Sequence, residues 1–214
     1  GKIRASADEF TKSLEASNAR VIAFGASVGI INAVGQAFKS LVTQTIAVQK
    51  QMTEINVIMQ RSVNDMTGMQ NALCGIAKDT AQSFGLVTEA ALEFSRQGMS
   101  MQKTLEATKQ AMVLSRITAL DATEAVKGLT AAVNGFAEAG ITHAQVVNKM
   151  SAVDVAFAVS TEDLIHGLER AGAVAQGAKV NFDELMGAIT AAQQITARGG
   201  NVIGNSFKTI FTRI

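Results

Sequence analysis

The chain has 214 residues, enough for one or two globular domains, and a net charge of +1. It contains no Pro, Trp or Tyr, which favours closely spaced helices and argues against a β-sandwich. Charge alone gives no reason to expect a specific nucleic acid partner, because no basic stripe is present. Charged residues make up only 17% of the chain, against about 25% in typical soluble domains. We therefore expect other protein chains or a membrane to cover part of its surface.

Helix starts and stops are the clearest local signals along the chain. A Ser, Thr, Asp or Asn followed three residues later by Glu or Gln forms a capping box, which satisfies free backbone amides at a helix start. Such pairs are Ser6 with Glu9, Asp121 with Glu124, Thr142 with Gln145, and Asn181 with Glu184; Thr88 and Ser160 are further predicted caps. Glycine at a helix end accepts the left-handed turn. The predicted stops are Gly85, Gly98, Gly140 and the pair Gly199–Gly200.

These signals predict an all-α fold with a long N-terminal helix followed by an array of short amphipathic helices arranged as helical hairpins. The long helix would run from about Ala7 to Asn64, with or without an interruption. Residues 1–64 would form an extended helical segment and residues 65–214 a helical module. The shorter helices are predicted near 66–84, 88–97, 100–119, 121–138, 142–158, 161–176, 182–198 and 202–214.

The first segment contains a stretch without charge, from Val21 to Phe38, flanked by Arg20 and Lys39. A bilayer-spanning helix needs about 20 mostly apolar residues, so this stretch is a marginal candidate for membrane insertion. The alternative is a helix that other subunits bury. The candidate membrane residues are Val21, Phe24, Gly25, Gly29, Ile30, Ile31, Val34 and Phe38, of which the two glycines have the spacing of a helix-packing motif.

A second feature of the first segment is an apolar stripe at alternating four- and three-residue steps. Such spacing suits packing of one helix against another, as in a coiled coil. We interpret the stripe as a candidate surface for a homo-oligomer of three to six chains. Its residues are Leu41, Val48, Met52, Ile55 and Met59, with Thr45 at the intervening position.

Several glycines fall inside the predicted helices, where each costs up to about 1 kcal/mol relative to alanine. Tight contact between helices is the plain explanation for Gly128, Gly167, Gly172 and Gly187. The run GGNVIG at Gly199–Gly204 resembles a dinucleotide loop only superficially, because it lacks the middle glycine and follows a predicted helix. We interpret this run as a joint between two helices.

Residues that could carry catalysis are few. His143 and His166 have no metal-ligand partner four residues on, and Cys74 is a lone cysteine in an apolar stretch. The acidic pairs Glu162–Asp163 and Asp183–Glu184 lie in predicted first turns, where carboxylates complement the helix dipole. The sequence therefore predicts no enzyme, no catalytic or metal-binding residues and no cofactor.

Five blocks of the C-terminal part of the sequence stand out. They are EFSRQG at Glu93–Gly98, LDATEAVKGLTAAVNGF at Leu120–Phe136, KMSAVD at Lys149–Asp154, STEDLIHGLERAGAVAQ at Ser160–Gln176, and DELMGAITAAQQITARGGNVIG running into NSFKTIFTRI. In this order they resemble the core region of phage tail tape-measure proteins of the lactococcal-phage type. The resemblance covers roughly residues 50–214.

This resemblance implies a structural role rather than an enzymatic one. Tape-measure proteins are largely helical oligomers that occupy the lumen of the tail tube, set tail length during assembly and leave it to assist DNA passage through the host envelope. The implied partners are further copies of the chain, the tail tube protein, the tail-tip or distal tail proteins and the host membrane. The protein would be made in the host cytoplasm and reside in the virion. The alternative is a bacterial helical membrane-associated protein, either receptor-like or pore-forming.

Overall fold

The computed structural model describes Gln36 and residues 43–118, 120–157 and 159–213. The chain divides after Ala47, and the unit Val48–Ile214 contains nearly everything described. Within the described residues the structure contains helices and no strands, which confirms the predicted all-α class. The helices are α1 (residues 43–59), α2 (Val63–Thr80), α3 (Phe84–Arg96), α4 (Met101–Ile117), α5 (Ala122–Gly135), α6 (His143–Ala156), α7 (Thr161–Gly177), α8 (Phe182–Thr196) and α9 (Gly200–Thr212), with a 3-10 turn at Ala137–Ala139.

Most predicted helix starts are confirmed. Asp121, Thr142 and Asn181 each form a complete capping box with the residue three positions on. Ser160 caps α7 by accepting a hydrogen bond from the backbone N–H of Asp163. The predicted cap Ser6 lies outside the described residues. These helices therefore begin where short polar side chains satisfy the free amides of the first turn.

The predicted long helix is wrong at its end, because α1 stops at residue 59. Gln60 adopts a left-handed conformation with φ of 51°, and the amide of Arg61 donates to Asn56 Oδ1 at 3.2 Å. Ser62 then caps α2, its hydroxyl accepting from the amide of Asp65 at 3.2 Å. A local hydrogen-bonded turn thus replaces continued helix. The portion of the predicted helix before residue 43, Gln36 apart, lies outside the described residues.

Two of the predicted glycine stops are confirmed and two are wrong. Gly98 and Gly140 have φ of 76° and 63°, as a left-handed helix end requires. Gly85 instead lies in the first turn of α3, which Ser83 caps, so the predicted cap Thr88 is a buried interior residue. The pair Gly199–Gly200 begins α9 rather than ending α8. Left-handed Ala81 and Ala197 end α2 and α8, although alanine lacks glycine's freedom there.

Helix α7 is the centre of the C-terminal half of the unit. It packs against α5, α6, α8 and α9, and its pairing with α9 is the most extensive between any two of the labelled helices α2–α9. Leu164, Ile165, Leu168 and Ala171 of α7 are buried. In the other half, α4 packs against α2, α3, α5 and α6. The core therefore runs through two central helices, with α5 and α6 touching both.

Helices α5 and α9 approach α7 so closely that side chains have no room at the crossings. A Cβ at Gly204 of α9 would lie 2.8 Å from the carbonyl oxygen of Gly167, and one at Gly135 of α5 would lie 3.1 Å from the backbone of Gly172. At Gly200, an added Cβ would overlap the carbonyl of Asp163 outright. The predicted close contacts at Gly128, Gly167 and Gly172 are thus confirmed. The one predicted at Gly187 is wrong, because nothing lies within 4 Å of its Cβ position.

The start of α9 is capped by a residue from another helix. Gly199 offers no side chain, and the amide of Gly200 donates instead to Asp163 Oδ1 of α7 at 2.6 Å. The other carboxylate oxygen of Asp163 accepts from Ser160 Oγ at 3.0 Å and from Gln193 Nε2 of α8. The Asp163 carboxylate therefore links α7, α8 and α9 through hydrogen bonds. Its position in the sequence predicts only a role in the first turn of α7.

We expect Gly204→Ala to lower the free energy of unfolding by about 1–3 kcal/mol, because the new methyl group would meet backbone that cannot yield. Gly187→Ala is the matched control, since it adds the same methyl group to an open position in the middle of α8. The control should raise the free energy of unfolding by up to about 1 kcal/mol through higher helix propensity. Urea denaturation measures both. Equal effects of the two substitutions would contradict the close approach of α9 to α7.

We expect Asp163→Ala to lower the free energy of unfolding by about 2 kcal/mol, because three donors lose a charged acceptor. Asp183→Ala is the control: this carboxylate also lies in a first turn, but its partner is Lys149 in an exposed ion pair at 2.6 Å. Exposed pairs contribute about 0–1 kcal/mol. Hydrogen exchange should also show faster exchange of α9 amides in Asp163→Ala alone. Unchanged α9 exchange would refute the capping role.

Candidate functional site

The predicted oligomer stripe turns its apolar side toward the core of its own chain. Ile55 is 0% exposed, and Met52 and Met59 pack against the same core. Val48 is half-buried, and Leu41 lies outside the described residues. The spacing predicts a face that packs against another helix, but Ile55 packs against helices of its own chain. Aspartate at Val48, Met52 and Ile55 would therefore disturb folding before it could report on association.

Polar contacts fix α1 against α3 beside this stripe. Gln51 accepts a hydrogen bond from Thr88 Oγ1, and Glu54 Oε2 forms an ion pair with Arg96 Nη2 at 3.0 Å. Arg96 also pairs with Glu93 on its own helix. Because Arg96 belongs to the EFSRQG block, this block serves here to hold α1 in place.

The opposite side of α1 presents apolar residues to solvent. Ile46 is 61% exposed and Val57 is 71% exposed. We call these two residues the outer face of α1. Scattered exposed apolar residues are common, but two on the same side of one helix make the outer face a candidate assembly surface. Their spacing is too irregular for periodicity to predict this face.

The predicted membrane helix lies outside the described residues. Nothing in the structure therefore bears on Val21, Phe24, Gly25, Gly29, Ile30, Ile31, Val34 or Phe38. Among the helices that are described, none combines the length and apolar character needed to cross a bilayer.

The side chains that could suggest chemistry have structural neighbours. His166 lies 3.7 Å from Glu169 on the same helix, Glu184 completes the cap of α8, and Asp183 pairs with Lys149. Cys74 is a half-buried free thiol. Across residues 43–118, 120–157 and 159–213, no three His, Cys, Asp or Glu side chains lie close enough together to hold a metal ion. The GGNVIG run forms the predicted joint, between α8 and α9.

His143 is the side chain with the most unusual surroundings. It is the first residue of α6, and its ring meets Phe94 edge to face, with ring centres 5.4 Å apart. Its Nε2 atom is buried and has no hydrogen-bond partner among the described protein groups. Burial lowers the pKa of His143 below its usual value, although nearby Glu106 acts in the opposite direction. The neutral imidazole is therefore the form that this position favours.

The ring of His143 borders a groove between α4, α5 and the loop that precedes α6. Lys103 and Glu106 contribute the charged part of its lining, and Asn134 adds an amide. The apolar part comes from Met99, Val133 and Ile141 among others. The sequence indicates only a structural or solvent-facing role for His143, because its contact with Phe94, about 50 positions earlier in the chain, leaves no local signal. A tertiary contact, rather than a motif, makes this histidine distinctive.

The helical array described above coincides with a known protein family. Residues 76–214 match the family described as phage-related minor tail protein. The match begins within α2 and includes every later helix of the described structure. It therefore covers the helices packed around α4 and α7, and it leaves out α1 and the start of α2. No solved structure matches the chain. The match extends over more than half of the sequence, and the chain belongs to the phage-related minor tail protein family.

Proposed function

We propose that this phage tail protein is part of a tape-measure protein that occupies the lumen of the tail tube and sets tail length during assembly. The observation that carries the proposal is the family match over residues 76–214. The ordered sequence blocks that resemble tape-measure core regions fall within the same helices. A non-enzymatic role accords with the structural contacts made by the histidines and acidic pairs. Family membership favours this function over the alternative of a bacterial receptor-like or pore-forming protein.

In this proposed role, one part of the chain sets tail length and another part forms a compact helical module. A helix rises about 1.5 Å per residue, so a helix aligned with the tube adds length in proportion to its residues. The packed helices α2–α9 fold back on one another and add much less length per residue. We therefore assign the length-setting role to residues up to 50.

The proposed partners follow from the same division. In an assembly of three to six copies, the outer face of α1 would contact a neighbouring copy, since the opposite side already packs on its own core. The tail tube protein would surround the helices, and the tail-tip or distal tail proteins would meet the end of the tape. On infection the chain would leave the tube and assist DNA passage through the host envelope.

We expect deletion of residues 44–50 to shorten the tail by about 10 Å with a narrow length distribution, because seven helical residues span that distance. The deletion keeps the inward-facing residues Met52, Ile55 and Met59 intact. Deleting residues 164–170 removes the same number of residues from the core of α7 and should give few or no tails. Electron microscopy of averaged particles measures both. An unchanged tail length after the 44–50 deletion would exclude this segment from the ruler.

We further propose that the uncharged segment 21–38 contacts the host membrane after release. Ile30→Arg with Ile31→Arg should permit tail assembly but reduce infectivity, because a charge at the bilayer centre costs at least about 2.5 kcal/mol. Val155→Arg with Ile195→Arg is the control, since these side chains are 91% and 84% exposed on α6 and α8. Plaque counts and DNA-release assays compare the two. Normal infectivity of the Ile30/Ile31 variant would remove the membrane role.

A further inference from the structure

We propose that His143 is a proton-operated lock on the loop between α5 and α6. In its neutral form the imidazole packs on Phe94 and holds the first turn of α6 against the bundle. On protonation the ring leaves Phe94 for the adjoining groove and releases that turn. This inference concerns the folded unit itself and goes beyond the proposed role in tail length.

The contacts of the ring fit the neutral form and not the charged one. An imidazolium has two N–H donors, and both need acceptors when buried. Nε2 is buried without a partner among the described groups, and the neighbouring ring is that of fully buried Phe94. A protonated ring at this position would lose hydration without gaining a hydrogen bond. Protonation therefore destabilises the present position of the ring.

Helix α4 supplies the charged side chains of the groove beside His143. Helix α4 contributes Lys103 and Glu106 to the groove, α5 contributes the neutral Asn134, and α3 contributes Phe94. The position of His143 as the first residue of α6 places it at the positive end of that helix dipole. Lys103 and the dipole disfavour a cation, whereas Glu106 attracts one. A protonated ring is therefore attracted toward Glu106 in the groove.

The adjoining loop is largely exposed and contains a glycine. Gly140, with φ of 63°, lies between the 3-10 turn and the cap Thr142, and it borders the groove together with Ile141. Glu138, Ala139 and Gly140 are exposed. Motion of the ring can thus be accommodated by this loop and the first turn of α6. The buried residues Val146, Val147 and Met150 would keep the rest of α6 in place.

The sign of the pH dependence follows from linkage. The folded-state pKa is below that of the unfolded chain, so the neutral ring stabilises the fold above about pH 6.5 and the stabilisation is lost as pH falls toward the folded-state pKa. From pH 7.5 to 5.5 the folding equilibrium constant should fall by as much as about tenfold through this one group.

The chain has only two histidines, which makes the test sharp. Urea unfolding of the 214-residue chain at pH 7.5, 6.5 and 5.5 compares the unmodified chain with His143→Phe and with the control His166→Gln. We expect the several-fold loss to persist in His166→Gln and to disappear in His143→Phe. The same loss in His143→Phe, or no loss in the unmodified chain, would overturn the proposal.

Two further measurements keep the test decisive if His143→Phe does not fold. In proton NMR the imidazole C–H signals of His143, assigned by their absence in His143→Asn, should titrate below about pH 6.5. Hydrogen exchange of residues 142–145 should accelerate at pH 5.5 relative to α9 amides in the same sample. A His143 that titrates at or above its usual value, or an unchanged exchange ratio, would refute the lock.

Discussion

The close approach of α5 and α9 to α7 is the constraint on which the C-terminal half of this protein depends. Gly135 faces the backbone of α7, and Gly204 faces the backbone of Gly167 and the Cβ atom of Arg170, so the helices approach almost to backbone contact. Such contact maximises dispersion between the helices, but a single added methyl group cannot be accommodated by rotating a side chain. Glycine lowers the helix propensity of the segments that contain it. Here those segments are α5 and α9, the helices that approach α7 most closely.

The Asp163 carboxylate belongs to the same arrangement. Because α9 begins with two glycines, it has no cap of its own, and the glycines that permit close approach also bring its first amide to Asp163. The same glycines therefore allow both the close packing of α9 and the capping of its first turn. A bulkier residue at Gly200 would push the amide away from the carboxylate, so close packing and capping depend on each other.

Helix α1 connects the folded unit with the proposed tail function. Its inner side, with Ile55 buried and Glu54 paired with Arg96, belongs to the core. Its outer face leaves Ile46 and Val57 exposed. One helix can therefore anchor a compact module and still present an apolar surface to another chain. In a tail protein, such a junction would join packed helices to an extended assembly, because each side of the helix serves a different partner.

The sequence by itself determined the fold class and most helix boundaries, because caps and helix ends are local. Asp121, Thr142, Asn181 and Ser160 cap helices through backbone amides only two or three residues away, so their neighbours in sequence suffice to identify them. The ordered blocks also indicated a phage tail protein. The break at Gln60 has no glycine to mark it, and the cap Ser83 has no Glu or Gln three residues later, so neither follows from the patterns that identify the other helix ends.

Only the tertiary structure decided which surfaces meet. The spacing of Met52, Ile55 and Met59 indicates a packed face, but periodicity is the same whether the partner is another copy or the same chain. Gly187 and Gly204 look alike as helical glycines, yet one faces open space and the other faces backbone. Asp163 and His143 acquire their roles from Gly200 and Phe94, which lie roughly 40 to 50 residues away in sequence. Contacts over such separations depend on how the helices stack, and no local pattern of residues encodes that.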